Sequence, residues 1–238
     1  DKGQWAMIFN ETVKSDSNHV NKTEKFMFDG ERLIQHIIKQ RYFEEEISNE
    51  VNLSYSDNQV TVTTDYLTLV YTLNSEGYAS QCVYSLSSQN RIYQFSYSAE
   101  GYLTGIVENI DDTEYSATSL TYENGDITSI SSKMNGLENK FIYEPGEESS
   151  TYHLPCLGLL EIHPLTFHIE ALYAGLLGKD PRHFTMHICP AGSNDEKTVY
   201  SYGFDKKGNP SRMICQTTYA GGQASYYPYT RNISISFE

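Results

Sequence analysis

The sequence predicts a mainly β protein: an antiparallel hairpin meander forming a closed or nearly closed barrel-like sheet, with one inserted helix at about 164–177 packed on its concave face. Three observations carry this expectation. A phrase of alternating aromatic strand, polar Gly or Asn turn and second alternating strand recurs along the chain. The 20 Tyr and 10 Phe against 1 Trp, set among many Ser and Thr, suit pleated, half-buried strands that expose hydroxyls at their rims. One stretch, Tyr152 to Pro190, breaks the alternation and carries an apolar stripe of helical period.

The hairpin phrase first reads Phe26-Met-Phe28-Asp-Gly30-Glu-Arg-Leu33, then Leu53-Ser-Tyr55-Ser-Asp-Asn58-Gln-Val60. It returns at Tyr71 to Tyr78 around Gly77, at Phe95 to Leu103 around Gly101, at Leu120 to Ile127 around Gly125, and at Tyr202 to Asn209 around Gly208. The middle glycines are evenly spaced, since 101 − 77 and 125 − 101 both equal 24, which fits two strands and two turns per unit. Glycine supplies the positive φ of tight hairpin turns, and Asn58 is expected to replace it by tolerating the left-handed region. A meander this long twists, and a flat sheet with free edges aggregates, so closure is expected.

Residues 31–47 have two readings, because Leu33, Ile34, Ile37 and Ile38 also suit a helix; the register of the repeat selects strand. In the interruption, Pro164 can occupy a first helical turn. Leu165, Ile169, Leu172 and Leu176 share a face, and Gly178 with Asp180-Pro181 ends a helix of about three to four turns. Ile233, Ile235 and Phe237 alternate with Asn232, Ser234 and Ser236 in a final strand. The whole of 1–238 is read as one β-meander domain with a helical insertion around 154–180.

The hairpin phrases, together with Leu172-Tyr173-Ala174-Gly175-Leu176-Leu177-Gly178-Lys179 followed by a proline and a return to strands, resemble a family of unknown function with a porin-like fold. Its members are secreted or lipid-anchored cell-envelope proteins of anaerobic Gram-negative gut bacteria. The resemblance implies location and architecture, and brings no catalytic or ligand residues with it.

Composition excludes some functions. The 31 acidic residues against 17 Lys plus Arg give a net charge of −14, which repels phosphate backbones, so nucleic acid is not an expected partner. Mean hydropathy is −0.50, and no run reaches the roughly 20 apolar residues of a spanning helix. A membrane-spanning barrel needs an apolar outer face. Ala117, Ser119 and Thr121 on one face of a strand do not supply it, so a barrel with a wet surface is expected.

The chain begins at Asp1 without a charged-then-apolar leader, which reads as a mature exported product with a lipid anchor as an option on the removed N-terminus. Cys82, Cys156, Cys189 and Cys215 are compatible with disulfides or with thiols. Asn10, Asn21, Asn52 and Asn232 each begin an N-x-Ser/Thr sequon.

The interruption also holds His153, His163, His168, His183 and His187. On a strand, His183, His187 and Cys189 share a face and could hold zinc with a carboxylate from Glu161 or Glu170. The spacing matches no metal motif, and half-exposed structural histidines around the helix are the competing explanation. No cofactor is expected. No Gly-x-Ser-x-Gly turn occurs, and Gly221-Gly222 lacks the Lys-Ser/Thr of a phosphate loop. Tyr226, Tyr227 and Tyr229 could stack on sugar or peptide, or form a sheet-edge cluster.

The resulting expectation is an exported, non-enzymatic cell-envelope module for a glycan, a small molecule or an envelope protein. One alternative is a hydrolase or metal-binding protein with its site at the helix–sheet junction, which requires an open cleft with convergent His and carboxylate groups. The other is a structural or assembly protein, which requires a bare strand edge or a large apolar patch.

Overall fold

The computed structural model describes residues 3–15, 18–42, 44–86, 89–149, 162–193, 197–218 and 229–238. Along the chain run β1 (Gln4–Ser15), β2 (Asn18–Asp29), β3 (Arg32–Tyr42), β4 (Glu45–Tyr55), β5 (Gln59–Thr63), β6 (Thr68–Leu73), β7 (Ala79–Leu86) and β8 (Gln89–Tyr97). Then come β9 (Leu103–Ile110), β10 (Thr113–Glu123), β11 (Asp126–Met134) and β12 (Leu137–Ser149), and a 3₁₀ turn (Leu165–His168) that runs into α1 (Ile169–Tyr173). The chain ends with β13 (His183–Pro190), β14 (Lys197–Phe204), β15 (Pro210–Thr218) and β16 (Tyr229–Phe237). Each strand neighbours the next in sequence, and β16 returns antiparallel to β1, so the sheet is a closed sixteen-stranded barrel. Between residues 31 and 47 the described backbone is strand in β3 and from Glu45 onward in β4, as the register of the repeat required.

The contacts divide into two compact units, Asp1–Val51 with Met186–Glu238, and Asn52–Thr185. In the first, the closing seam runs from Met7 opposite Phe237 to Lys14 opposite Thr230. Met7, Phe9, Phe26, Phe28, Leu33, Ile233 and Ile235 are buried, matching the alternation read from the sequence. Charge is buried there in pairs. Arg231 donates through Nε and Nη2 to the two oxygens of Glu11, and His36 contacts Glu24 at 3.2 Å while stacking on Phe26 at 4.0 Å. Burial pushes the Glu24 carboxyl up, but the hydrogen bond from His36 and the charge of Lys22 outweigh it, and the net direction is down.

In the second unit the evenly spaced Gly77, Gly101 and Gly125 sit at φ of +85°, +93° and +86°, where a side chain would be strained. Asn58 does not join them. The link between β4 and β5 closes instead through Ser56 N–H donating to the Gln59 carbonyl at 2.9 Å, without a left-handed residue at Asn58. Two-residue turns with both φ positive occur at Asp111-Asp112, Asn124-Gly125 and Asn135-Gly136, a geometry that matches the twist of the flanking strands. On β10, Ser116, Thr118 and Leu120 are buried, while Ser119 and Thr121 are exposed.

The inserted helix is shorter than its periodicity predicts. The 3₁₀ turn and α1 together cover nine residues, Leu165–Tyr173, because Gly175 turns left-handed at φ +70° and Leu176 N–H reaches back to the Ala171 carbonyl at 2.9 Å. Leu165, Leu172 and Leu176 are buried as the stripe required, joined by Ala171, Tyr173 and Leu177, and Ile169 is half-buried. The element packs on the buried face of the sheet, with His168 edge-on to Tyr71, Tyr93 and Phe95. The following segment is stitched to strands: Ala79 N–H donates to the Leu176 carbonyl at 2.7 Å, and Tyr97 Oη donates to the Ala79 carbonyl at 2.6 Å.

Candidate functional site

Two backbone hydrogen bonds clip the post-helix segment onto adjacent hairpin turns. Lys179 N–H donates to the Gly101 carbonyl at 2.8 Å, and Arg182 N–H donates to the Gly125 carbonyl at 3.0 Å. Between these clips lies a groove of about 750 Å³, within the size range of small-molecule sites. Its aromatic wall is Tyr102 stacked on Tyr122, with ring centroids 5.0 Å apart. Its polar lining comes from Ser98, Thr104, Thr121 and Asn124, and its cations are Lys179 and Arg182.

The turn glycines shape this groove. A Cβ on Gly125 would meet Tyr102 Oη and the Arg182 stem at 2.6 Å, so glycine there lets both side chains lie across the turn. Arg182 Nη1 also donates to the Asn124 carbonyl at 3.3 Å, which holds the guanidinium at the rim. Glu100 is the one carboxylate of the lining. A hydrogen bond from the Ser98 hydroxyl and one from its own backbone N–H hold it below the usual carboxylate range, with a smaller contribution from the Lys179 charge.

The helix–sheet junction holds a different arrangement, a buried polar network. Glu108, with no exposed surface, accepts from Ser116 Oγ at 2.7 Å and Tyr93 Oη at 3.2 Å, pairs with His163 Nε2 at 2.8 Å and lies 3.4 Å from Arg91 Nε. Burial raises the Glu108 pKa, but the hydrogen bonds from His163 and Ser116 and the charges of His163 and Arg91 prevail, and the carboxyl titrates below its ordinary value. His168 is fully buried, with Nδ1 2.7 Å from Tyr71 Oη and no hydrogen-bond partner for Nε2 among the described residues. Burial lowers its pKa to about 3, so the ring is neutral at ordinary pH. Cys82 faces Tyr71 across the β6–β7 ladder, and burial pushes its thiol up to about 12.

Three of the histidines singled out from sequence therefore have separate partners. His163 goes to Glu108, His168 to Tyr71, and His183 Nδ1 to Asp126 at 2.8 Å. His187 lies in β13 opposite Val199. Among the described residues no group of three or more His, Cys, Asp or Glu side chains is placed to hold a metal ion. Cys82 and Cys189 are thiols. His153, Cys156, Glu161, Tyr226 and Tyr227 lie outside the described residues; Tyr229 opens β16, and its side chain is likewise outside them.

The family described as a domain of unknown function (DUF4595) with porin-like fold matches residues 26–212. The chain belongs to that family. The match in this porin-like family starts at Phe26, the first residue of the first hairpin phrase, and runs past the post-helix segment to Arg212, so the resemblance read from those phrases holds. A crystal structure of a porin-like protein from Bacteroides uniformis ATCC 8492 is similar at a TM-score of 0.88 and 26% identity, covering 98% of this chain and 97% of that one. No curated protein matches. The DUF4595 match names no activity, so the function must be argued from the groove and the network.

Sequence reasoning missed the groove, although its signals were visible. Tyr102 directly follows the turn glycine of one phrase and Tyr122 lies three residues before the turn glycine of the next. Lys179 and Arg182 place two cations just after the helix in a chain where acids outnumber bases.

Proposed function

We propose that this chain is an exported, non-enzymatic cell-envelope module that binds a small ligand in the groove beside Tyr102 and Tyr122. The single observation that supports it most is the construction of the groove: two hairpin turns, a clipped backbone segment and a stacked aromatic pair fix its walls before any ligand arrives. The envelope assignment draws on the porin-like relative from Bacteroides, a gut anaerobe.

The test is a titration of ¹⁵N-labelled protein with a library of mono- to trisaccharides and small metabolites, followed by product analysis of the same mixtures. Binders are expected to shift the Tyr102, Tyr122, Asn124 and Gly125 amides, with the shifts lost in Tyr102→Ala and no product formed. Shifts confined to other regions, or turnover, would overturn the reading. Cell fractionation of the native host tests the location, with recovery in the envelope fraction expected.

A hydrolytic reading has one observation in its favour, the His163–Glu108 pair, in which a buried carboxylate orients a part-exposed imidazole. It predicts hydrolysis of chromogenic esters or glycosides that His163→Ala abolishes. An assembly role through a bare strand edge has less support, because the strands pair around a closed order.

A further inference from the structure

We propose that the groove recognises an acidic saccharide: Lys179 and Arg182 take its carboxylate, Tyr102 and Tyr122 take the apolar face of a pyranose ring, and the surrounding hydroxyls and amide take its own hydroxyls. This rests on the reading of the groove as a ligand site and adds the class of ligand.

Charge placement is the first argument. The chain carries 31 acids against 17 Lys plus Arg, yet the groove lining holds two cations against one carboxylate. That carboxylate, Glu100, is engaged by Ser98 and by its own backbone N–H, with a smaller pull from the Lys179 charge, and Arg182 uses one of its donors on the Asn124 carbonyl. No carboxylate lies within ion-pair distance of either cation among the described residues. A guanidinium keeps several donors in a fork that fits a carboxylate, and an ammonium beside it adds a point charge. Two such groups against one carboxylate give the groove a net positive lining in a chain whose net charge is −14.

Lining chemistry is the second argument. Tyr102 and Tyr122 are half-buried and stack on each other, so together they form an aromatic wall of the groove. Ser98, Thr104, Thr121 and Asn124 provide donors and acceptors on the same walls, and Leu120 is the aliphatic residue of the lining. An aromatic platform ringed by hydroxyls and an amide suits a polyhydroxylated ring better than a fatty acid, which needs an apolar tunnel. The cations then select for a ring that carries a carboxylate.

The experiment is calorimetric titration of the full chain with a hexuronic-acid trisaccharide and with its carboxyl-reduced neutral counterpart, at low and at raised salt. The acidic trisaccharide is expected to bind at least about tenfold more tightly than the neutral one, with affinity falling as salt rises. The Lys179→Gln/Arg182→Gln double variant is expected to erase that preference, and Tyr102→Ala to weaken both sugars. Equal binding of the two sugars, or a double variant that keeps the preference, overturns the acidic specificity and leaves the groove reading standing. Binding of neither sugar overturns the saccharide assignment, and the wider library of the previous section then decides whether the groove binds anything. Lys179→Gln alone, whose side chain makes no hydrogen bond among the described residues, guards against a folding defect in the double variant.

Discussion

His168 and Glu108 are neighbours in one buried network, yet acid acts on them over different ranges. The His168 ring titrates at about 3 when folded because burial disfavours its charged form, against about 6.5 in an unfolded chain. A base whose folded pKa is depressed gives stability that is complete above the unfolded value and lost as pH falls below it, since the unfolded chain then binds the extra proton. Going from pH 6.5 to 5.5 should therefore cost about 1 kcal/mol through this residue alone. His168→Asn, which keeps a polar atom toward Tyr71, is expected to be less stable at pH 7 but flatter through that window; equal slopes for both proteins in urea melts would refute the assignment. Glu108 has a lowered folded pKa, so its contribution persists above the usual carboxylate range and disappears only as pH falls through the folded value. Glu108→Gln leaves His163 and Arg91 without their buried counter-charge, and a loss of about 3 kcal/mol is expected at pH 7, measured by the same melts. None of this was legible in the sequence. The histidines stood out by their clustering, but Glu108 lies in an ordinary alternating strand, and its partners come from residues 91 to 163.

Among the elements, the turns were the most legible and the helix the least. Gly77, Gly101 and Gly125 announced themselves by even spacing, and all three have the positive φ expected of them. Asp111-Asp112 forms a left-handed turn with no glycine to mark it, and Asn58, which looked like a substitute, is not one. The helix ends early because Gly175, not Gly178, takes the left-handed stop, and the leucines beyond it stay buried without helical backbone. Gly178 has another task. At φ +85° it packs so closely on the next turn that a Cβ would meet the Gly101 carbonyl oxygen at 2.6 Å, whereas a Cβ on Gly77, also at φ +85°, would meet nothing within 4 Å. Gly77→Ala is therefore expected to lose only the conformational term, about 1–2 kcal/mol. Gly178→Ala should lose clearly more and disturb the groove as well, because a backbone oxygen cannot step aside. Thermal melts of the two variants, with amide shifts at Gly101 and Lys179, test that ordering; equal losses would mean that the close approach is relieved cheaply.

At the scale of the whole molecule, the closed barrel follows from accumulated local signals. Repeated hairpins twist in one sense, strands such as β5, β6 and β8 bury alternate apolar residues, and the final strand alternates like the first, so β16 finds its partner in β1. The number of strands was not legible, because hairpins such as β1–β2 and β11–β12 carry the alternation without a recognisable phrase. The groove escaped for a related reason: it is built by hairpin tips and a helix exit that come together only through the fold. Closure itself can be tested at the seam. Removing residues 229–238 takes away β16 and exposes the hydrogen-bonding edges of β1 and β15, two ready templates for pairing with other chains. The shortened chain is expected to form large oligomers or aggregates by light scattering. Arg231→Ala probes the same seam differently, since it keeps the strand and its ladder but leaves Glu11 buried without its bidentate partner. That variant should keep the parent's oligomeric state and lose about 3 kcal/mol of stability. If both changes gave soluble protein of parental size, the edges opened by losing β16 would have to be covered by another part of the chain, and closure by β1–β16 pairing would not be what keeps the sheet from self-association.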